Sequence, residues 1–110
     1  MAEPTLEEIF GPGAVQTGDT LTIPKSRLVA KGLTASATNK AEALLVALIM
    51  AASDNLTETN RSTDALNRHV TILYSGQDLV EVNGVNYRRD AFSLLLYKQQ
   101  PLSTLDPDDY

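Results

Sequence analysis

Few side chains in this sequence could do chemistry. His69 is the single histidine. A histidine acts as general base only with a nucleophile or substrate in reach and a partner to orient the ring. Arg68 and Val70 flank it without any recognisable motif, so it reads as a half-exposed strand residue. Asp106, Asp108 and Asp109 near the C-terminus offer the oxygen ligands that hard cations take. The glycine and distal glutamate of a calcium loop are missing, and a solvated acidic tail is the expectation. Gly11-Pro12-Gly13 has the small residues of a phosphate cradle, yet it follows no clear strand, and Pro12 removes an amide such a loop would use. There is no cysteine, which excludes thiolate metal sites and disulfides. These residues predict a protein that is not an enzyme, with no cofactor, no metal and no small-molecule substrate.

Charge carries more information than chemistry. The 110 residues have a formal net charge of −5, which argues against nucleic-acid binding, a property of basic surfaces. Residues 1–19 hold Glu3, Glu7, Glu8 and Asp19 and no base, while residues 20–41 hold Lys25, Arg27, Lys31 and Lys40 and no acid. Residues 42–98 are nearly balanced, and the tail from Gln99 adds three aspartates. The basic neck has three readings: an ordinary solvated face, a nucleic-acid patch without the aromatics that stack bases, or a receiver for acidic arms.

The elements that must position these residues can be read from pattern. Thr5-Leu6-Glu7-Glu8 fits a capping box, and Leu6, Ile9 and Phe10 give the short helix an apolar face before Gly11 ends it. Thr20-Leu21-Thr22-Ile23 alternates as a strand after the turn signal Gly18-Asp19. Pro24 leads into a helical turn with Leu28 and Val29. Asn39 then caps a helix over about 40–53 that is apolar around its whole circumference, with Ala43, Ala47 and Ala51 as a small-residue stripe. Residues 57–67 read as polar and turn-rich, with room for a helical turn near Asp64–Leu66. From Arg68 the period becomes two: a strand through Tyr74, a turn at Ser75–Asp78, a strand at Leu79–Val82, the hairpin signal Asn83-Gly84, and a return at Val85–Arg89. Residues 92–97 read as a fourth strand, with a helix capped by Asp90 as the alternative. Pro101 and Pro107 keep the tail extended.

The fold class expected is α+β: a small antiparallel sheet of three to four strands packed on one apolar helix, with extended N- and C-terminal arms. One domain spans 1–110, with 1–19 as N-terminal arm and 99–110 as acidic tail. The longest apolar run, ten residues from Ala43 to Ala52, falls short of the roughly 20 needed to cross a membrane. Met1-Ala2-Glu3-Pro4 has no signal-peptide character, so a cytoplasmic or virion location without membrane contact is expected.

Three features converge on assembly. The central helix has no polar face for water. Both arms are acidic and apolar-tipped, by Leu6, Ile9 and Phe10 at one end and Leu102, Leu105 and Tyr110 at the other. Lys25, Arg27 and Lys31 complement those arms and their Asp106, Asp108 and Asp109. Arm-on-neck docking between copies builds rings or filaments. The stretches Gly13–Thr17, Thr20–Ile23 with Lys25, Gly32–Asn39 and Ala41-Glu42 resemble small uncharacterised proteins of cyanobacteria and of viruses or tail-like particles associated with them. The resemblance runs from about Phe10 to Ala52, with echoes at Tyr87–Asp90 and Asp106–Tyr110. It implies a particle component and brings no catalytic residue. The expectation is a non-enzymatic structural subunit whose partners are copies of itself or proteins of the same assembly. A small adaptor binding one host protein is the rival.

Overall fold

A computed structural model describes residues 2–99 and 104–110; the expectations for Pro101 and Leu102 lie outside the described residues. In chain order the elements are α1 (Leu6–Phe10), β1 (Val15–Gln16), β2 (Leu21–Thr22), α2 (Ser26–Val29), α3 (Ala41–Ser53), α4 (Glu58–Thr63), β3 (Val70–Val82) and β4 (Val85–Leu96). A 3-10 turn at Pro107–Asp109 follows, so the tail expected to stay extended at Pro107 turns there, Pro107 opening the turn. The chain is therefore α+β. Among the described residues no helix is long and apolar enough to cross a membrane.

Local chemistry explains most boundaries. The capping box forms as expected: the Glu8 amide donates to Thr5 Oγ1 at 3.1 Å and the Thr5 amide to Glu8 Oε1 at 3.2 Å. Gly11 stops α1 with φ of 100°, a conformation that costs a residue with a Cβ dearly. A Cβ there would also stand 2.9 Å from Arg27 Cβ. Gly11→Ala should therefore destabilise the protein by about 1–3 kcal/mol, read as a lowered thermal midpoint. Gly18→Ala, where the space is open and φ is ordinary, should leave the midpoint unchanged.

Two expectations about caps and helices are corrected. Lys40, not Asn39, is the N-cap residue of α3, and it makes no side-chain capping bond. The Asn39 amide instead braces the preceding loop, donating to Thr34 O at 2.8 Å while its oxygen accepts from the Ser36 amide at 3.0 Å. Residues 57–67, expected as turn-rich with a helical turn near Asp64–Leu66, instead form α4 earlier, its first turn capped by Thr57 Oγ1 accepting from the Asn60 amide at 3.1 Å.

The largest correction concerns the sheet. No single sheet of three to four strands forms; there are two separate antiparallel pairs, β1–β2 and β3–β4. β1–β2 is a small ribbon with Val15 opposite Thr22 and Gln16 opposite Leu21, closed by the Thr17 amide donating to Thr20 O at 2.9 Å. The stretch Ser75–Asp78 does not turn the chain. Its extra residue is absorbed as a β-bulge between the pairs Tyr74–Phe92 and Gly76–Ala91, as bulges do by leaving one residue unopposed. The expected strands therefore fuse into two of 13 and 12 residues. Residues 92–96 are strand, not helix. Asn83 and Gly84 both take positive φ, 52° and 78°, the geometry of the two-residue hairpin turn their sequence announces.

The core lies where α1 and α2 meet α3, and it is thin. The buried apolar residues are Ala14, Leu28, Ala47, Ala51, Ala52 and Leu56, four of them alanines. No large side chain among the described residues is completely enclosed. The radius of gyration is 16.3 Å, against about 13 Å for a compact chain of this length. The accessible surface is 8105 Å², whereas monomers of this mass average about 6,000 Å². The long hairpin is the chief cause, because a two-stranded ribbon has no second layer over most of its length.

Candidate assembly surface

The acidic N-terminal arm and the basic neck do meet, but within one chain. Arg27 Nη1 donates to the last carbonyls of α1, at 2.6 Å to Glu8 O and 3.2 Å to Glu7 O, and its Nη2 reaches Ala51 O at 3.3 Å. A guanidinium at a helix C-terminus suits the partial negative charge of its last carbonyls, and here Glu7 O also accepts from the Gly11 amide at 2.8 Å. Lys25 Nζ donates to Ser36 O at 2.7 Å and Asn39 Oδ1 at 2.9 Å. Lys31 pairs with Asp54 at 2.6 Å. The neck thus locks its own chain, and three of its four bases, Lys25, Arg27 and Lys31, are engaged within it. Leu6, Ile9 and Phe10 are half-buried, and α1 rests on α3. Tyr110 lines a small cleft with Ile9, Leu56 and His69. Asp109 is held by Lys98 at 2.7 Å, while Asp106 Oδ1 accepts from the Asp108 amide at 3.0 Å. The N-terminal arm therefore packs on its own chain, and Asp109 and Tyr110 of the C-terminal arm touch it.

A polar joint that the sequence reading missed ties these parts together. Arg68 is buried at 4% exposure. Its Nε donates to Ala2 O at 3.1 Å and its Nη1 to Asn55 Oδ1 at 2.9 Å, with Glu8 Oε2 at 3.7 Å from Nη2. Asn55 Nδ2 closes the ring on Glu8 Oε2 at 2.9 Å. The Thr5 amide, then Asn55 and the Thr5 hydroxyl, hold the Glu8 carboxyl below its usual value of 4.5, because each donor favours the charged form. No motif marks this joint. Its members lie far apart in sequence and meet only through tertiary structure.

What the chain leaves uncovered is the hairpin. Directly opposed residues share a face, and faces alternate along each strand. On the first face the base of the hairpin carries Val70 with Leu96, Ile72 with Leu94 and Tyr74 with Phe92. This face turns to α3, and a cleft of about 450 Å³ opens between them, lined by Val46, Met50, Tyr74 and Phe92. Polar groups rim it. Tyr74 Oη donates to Asp90 at 2.6 Å, which holds the Asp90 carboxyl below its usual range and pushes the phenol up. The rings of Tyr74 and Phe92 meet edge to face at 5.2 Å. On the second face α4 grips the base, with the Arg61 guanidinium 3.5 Å over the Tyr97 ring.

Beyond the bulge the apolar side changes. The pairs Val80–Tyr87 and Val82–Val85 lie on the second face, with Asp78–Arg89 next to them. Gln77, Leu79, Glu81, Asn86, Arg88 and Asp90 occupy the first. Val82, Val85 and Tyr87 are each about half exposed. Asp78 and Arg89 form a two-point bridge at 2.9 and 2.6 Å, and the guanidinium holds Asp78 below the usual carboxylate range. The tip's apolar patch therefore points away from α3.

No protein-family profile, curated protein or solved structure matches this chain. Its candidate surface is defined by geometry. That surface also takes in Leu45 on α3 and Val46 at the mouth of the α3 cleft, both more than half exposed. This agrees with the sequence observation that α3 has no polar face. The sequence reading placed contact residues on arms and neck; the structure shows exposed apolar area on the hairpin and α3 as well as at Val29, Leu105 and Tyr110. The alternation Val80, Val82, Val85, Tyr87 around Asn83-Gly84 was the available signal.

Proposed function

We propose that this protein is a non-enzymatic structural subunit of a homo-oligomeric assembly, of the kind that builds a virion or tail-like particle, working in the cytoplasm or within such a particle. One observation carries the reading: accessible surface of 8105 Å² exceeds the monomer expectation by roughly 2,000 Å². Obligate homodimers bury about 2,000–5,000 Å² in total over both partners, so one contact between copies is large enough to remove such an excess. Exposed leucines, valines and tyrosines on a hairpin and a helix are the composition that interface cores use.

The neck's internal bonds change the salt dependence expected from arm-on-neck docking. Apolar contacts are not screened, whereas exposed ion pairs are. Light scattering on size-separated protein should give a mass that is a multiple of 11.9 kDa, unchanged from low to molar salt. A mass of one chain at every concentration would favour the monomeric adaptor and overturn the subunit reading.

A further inference from the structure

We propose that the cavity between α4 and the base of the hairpin binds a small phosphate monoester, gripped by the Arg61 guanidinium. The assignment is independent of the subunit reading.

The cavity holds about 290 Å³ and is lined by Arg61, Ala65, Leu66, His69, Tyr97 and Lys98. Arg61 is the residue that points to a ligand. Its Cζ sits 3.5 Å over the Tyr97 ring, an attraction that fixes the guanidinium in place. Yet its side chain makes no hydrogen bond or ion pair among the described residues, and its Nε is buried without an acceptor. A buried charged donor left unpaired is costly, and folded chains nearly always give it a partner, an ordered water or an ion. The acids nearby are engaged elsewhere. Glu58 accepts from Tyr97 Oη at 3.3 Å, and Asp109 pairs with Lys98 at 2.7 Å. A guanidinium held by a ring, with no carboxylate on its edge, is a ready fork for an oxyanion.

Phosphate uses these surroundings better than carboxylate does. The fork takes two oxygens, and His69, which carries an N–H in either neutral tautomer, serves a third. A carboxylate has no third oxygen to offer. Ligand sites run from about 300 to 1,000 Å³, so this cavity suits a phosphate group on one small ring. Ala65 and Leu66, the latter 84% exposed, give that ring an apolar wall.

Phenyl phosphate, titrated into the intact protein at constant ionic strength, is the probe. It should shift the amide NMR signals of Arg61, Leu66, His69 and Tyr97 saturably at millimolar concentrations. Arg61→Lys keeps the charge but loses the fork, and should weaken binding at least about tenfold. Asp109→Asn removes a competing negative charge beside Lys98 and should tighten binding about two- to threefold. Asp109 is exposed, so this variant tests the site even where Arg61→Lys disturbs the packing of α4. Benzoate, with two oxygens on the same ring, should bind at least about fivefold more weakly than phenyl phosphate. No saturable shift, the same shifts from sodium chloride, or unchanged binding in a folded Arg61→Lys or in Asp109→Asn overturns the site. Benzoate binding as tightly overturns the phosphate assignment. A thymidine oligonucleotide binding more tightly than phenyl phosphate overturns the small-molecule ligand in favour of a nucleic acid.

Discussion

Replacing Arg68 with alanine should cost about 3 kcal/mol of stability, measured by urea unfolding at fixed protein concentration. Breaking a buried charged cluster by removing one partner costs about 3–5 kcal/mol, and the partly exposed Glu8 can recover some hydration, which favours the lower figure. Arg68 serves three segments at once: the N-terminal backbone at Ala2, the capping residue Glu8 and the α3–α4 joint at Asn55. Arg68→Met keeps the packed stem but leaves Ala2 O and Asn55 Oδ1 without donors, so it should recover only part of the loss. A loss below about 1 kcal/mol for the alanine variant would show that water replaces the guanidinium readily. The joint also has an acid signature. Glu8 titrates below 4.5 in the folded chain, so its contribution is complete above the unfolded value and is lost as pH falls through the folded one. The thermal midpoint should drop on acidification through this range, and Glu8→Gln should flatten the drop.

Leu28→Ala should be as damaging, at about 3–4 kcal/mol by the same measurement. Leucine-to-alanine changes in cores cost about 2–5 kcal/mol, and the cost grows with the cavity that remains. Leu28 is 4% exposed and packs on Ala47 and Ala51, with Leu33, Leu44 and Leu48 at the margin. Alanines cannot lean into a void as longer side chains do, so the hole stays open and the upper half of the range applies. Against a usual total of about 5–15 kcal/mol, and with Leu28 and Leu56 the only large apolar residues buried among the described residues, one such hole brings the chain near its unfolding threshold. Urea midpoints should therefore move far more for Leu28→Ala than for truncation of the exposed Leu66, which is 84% exposed.

Much of the local structure was legible because it obeys short-range rules. The Thr5–Glu8 box, the Gly11 stop, the helix over Ala41–Ser53 and the Asn83-Gly84 turn all follow from residues within four positions of one another. The strands were harder, for a definite reason. On β3, Val70, Ile72, Tyr74, Val80 and Val82 keep one phase, whereas on β4 the phase shifts between Tyr87 and Phe92. Counting outward from the Asn83-Gly84 turn without interruption would oppose Tyr74 to Ser93 and misalign the base. One unopposed residue on β3 restores Tyr74 to Phe92. The phase shift was visible in the sequence, and a turn at Ser75–Asp78 was the wrong resolution of it. Arg68 and Asn55 were invisible in another way: a buried polar ring assembled from four segments has no sequence period. The basic residues of the neck were visible as a cluster, but spacing could not distinguish neighbouring carbonyls of the same chain from carboxylates of another.

The unopposed serine has one more implication, for how such a protein can change over generations. Below Ser75, substitutions on the apolar face alter how the ribbon rests on α3; above it, they alter only what is displayed outward. Heritable drift in the outer half can remodel the molecule's outward character while the foundations of each copy stay intact, so adhesiveness and foldedness can diverge under separate selection.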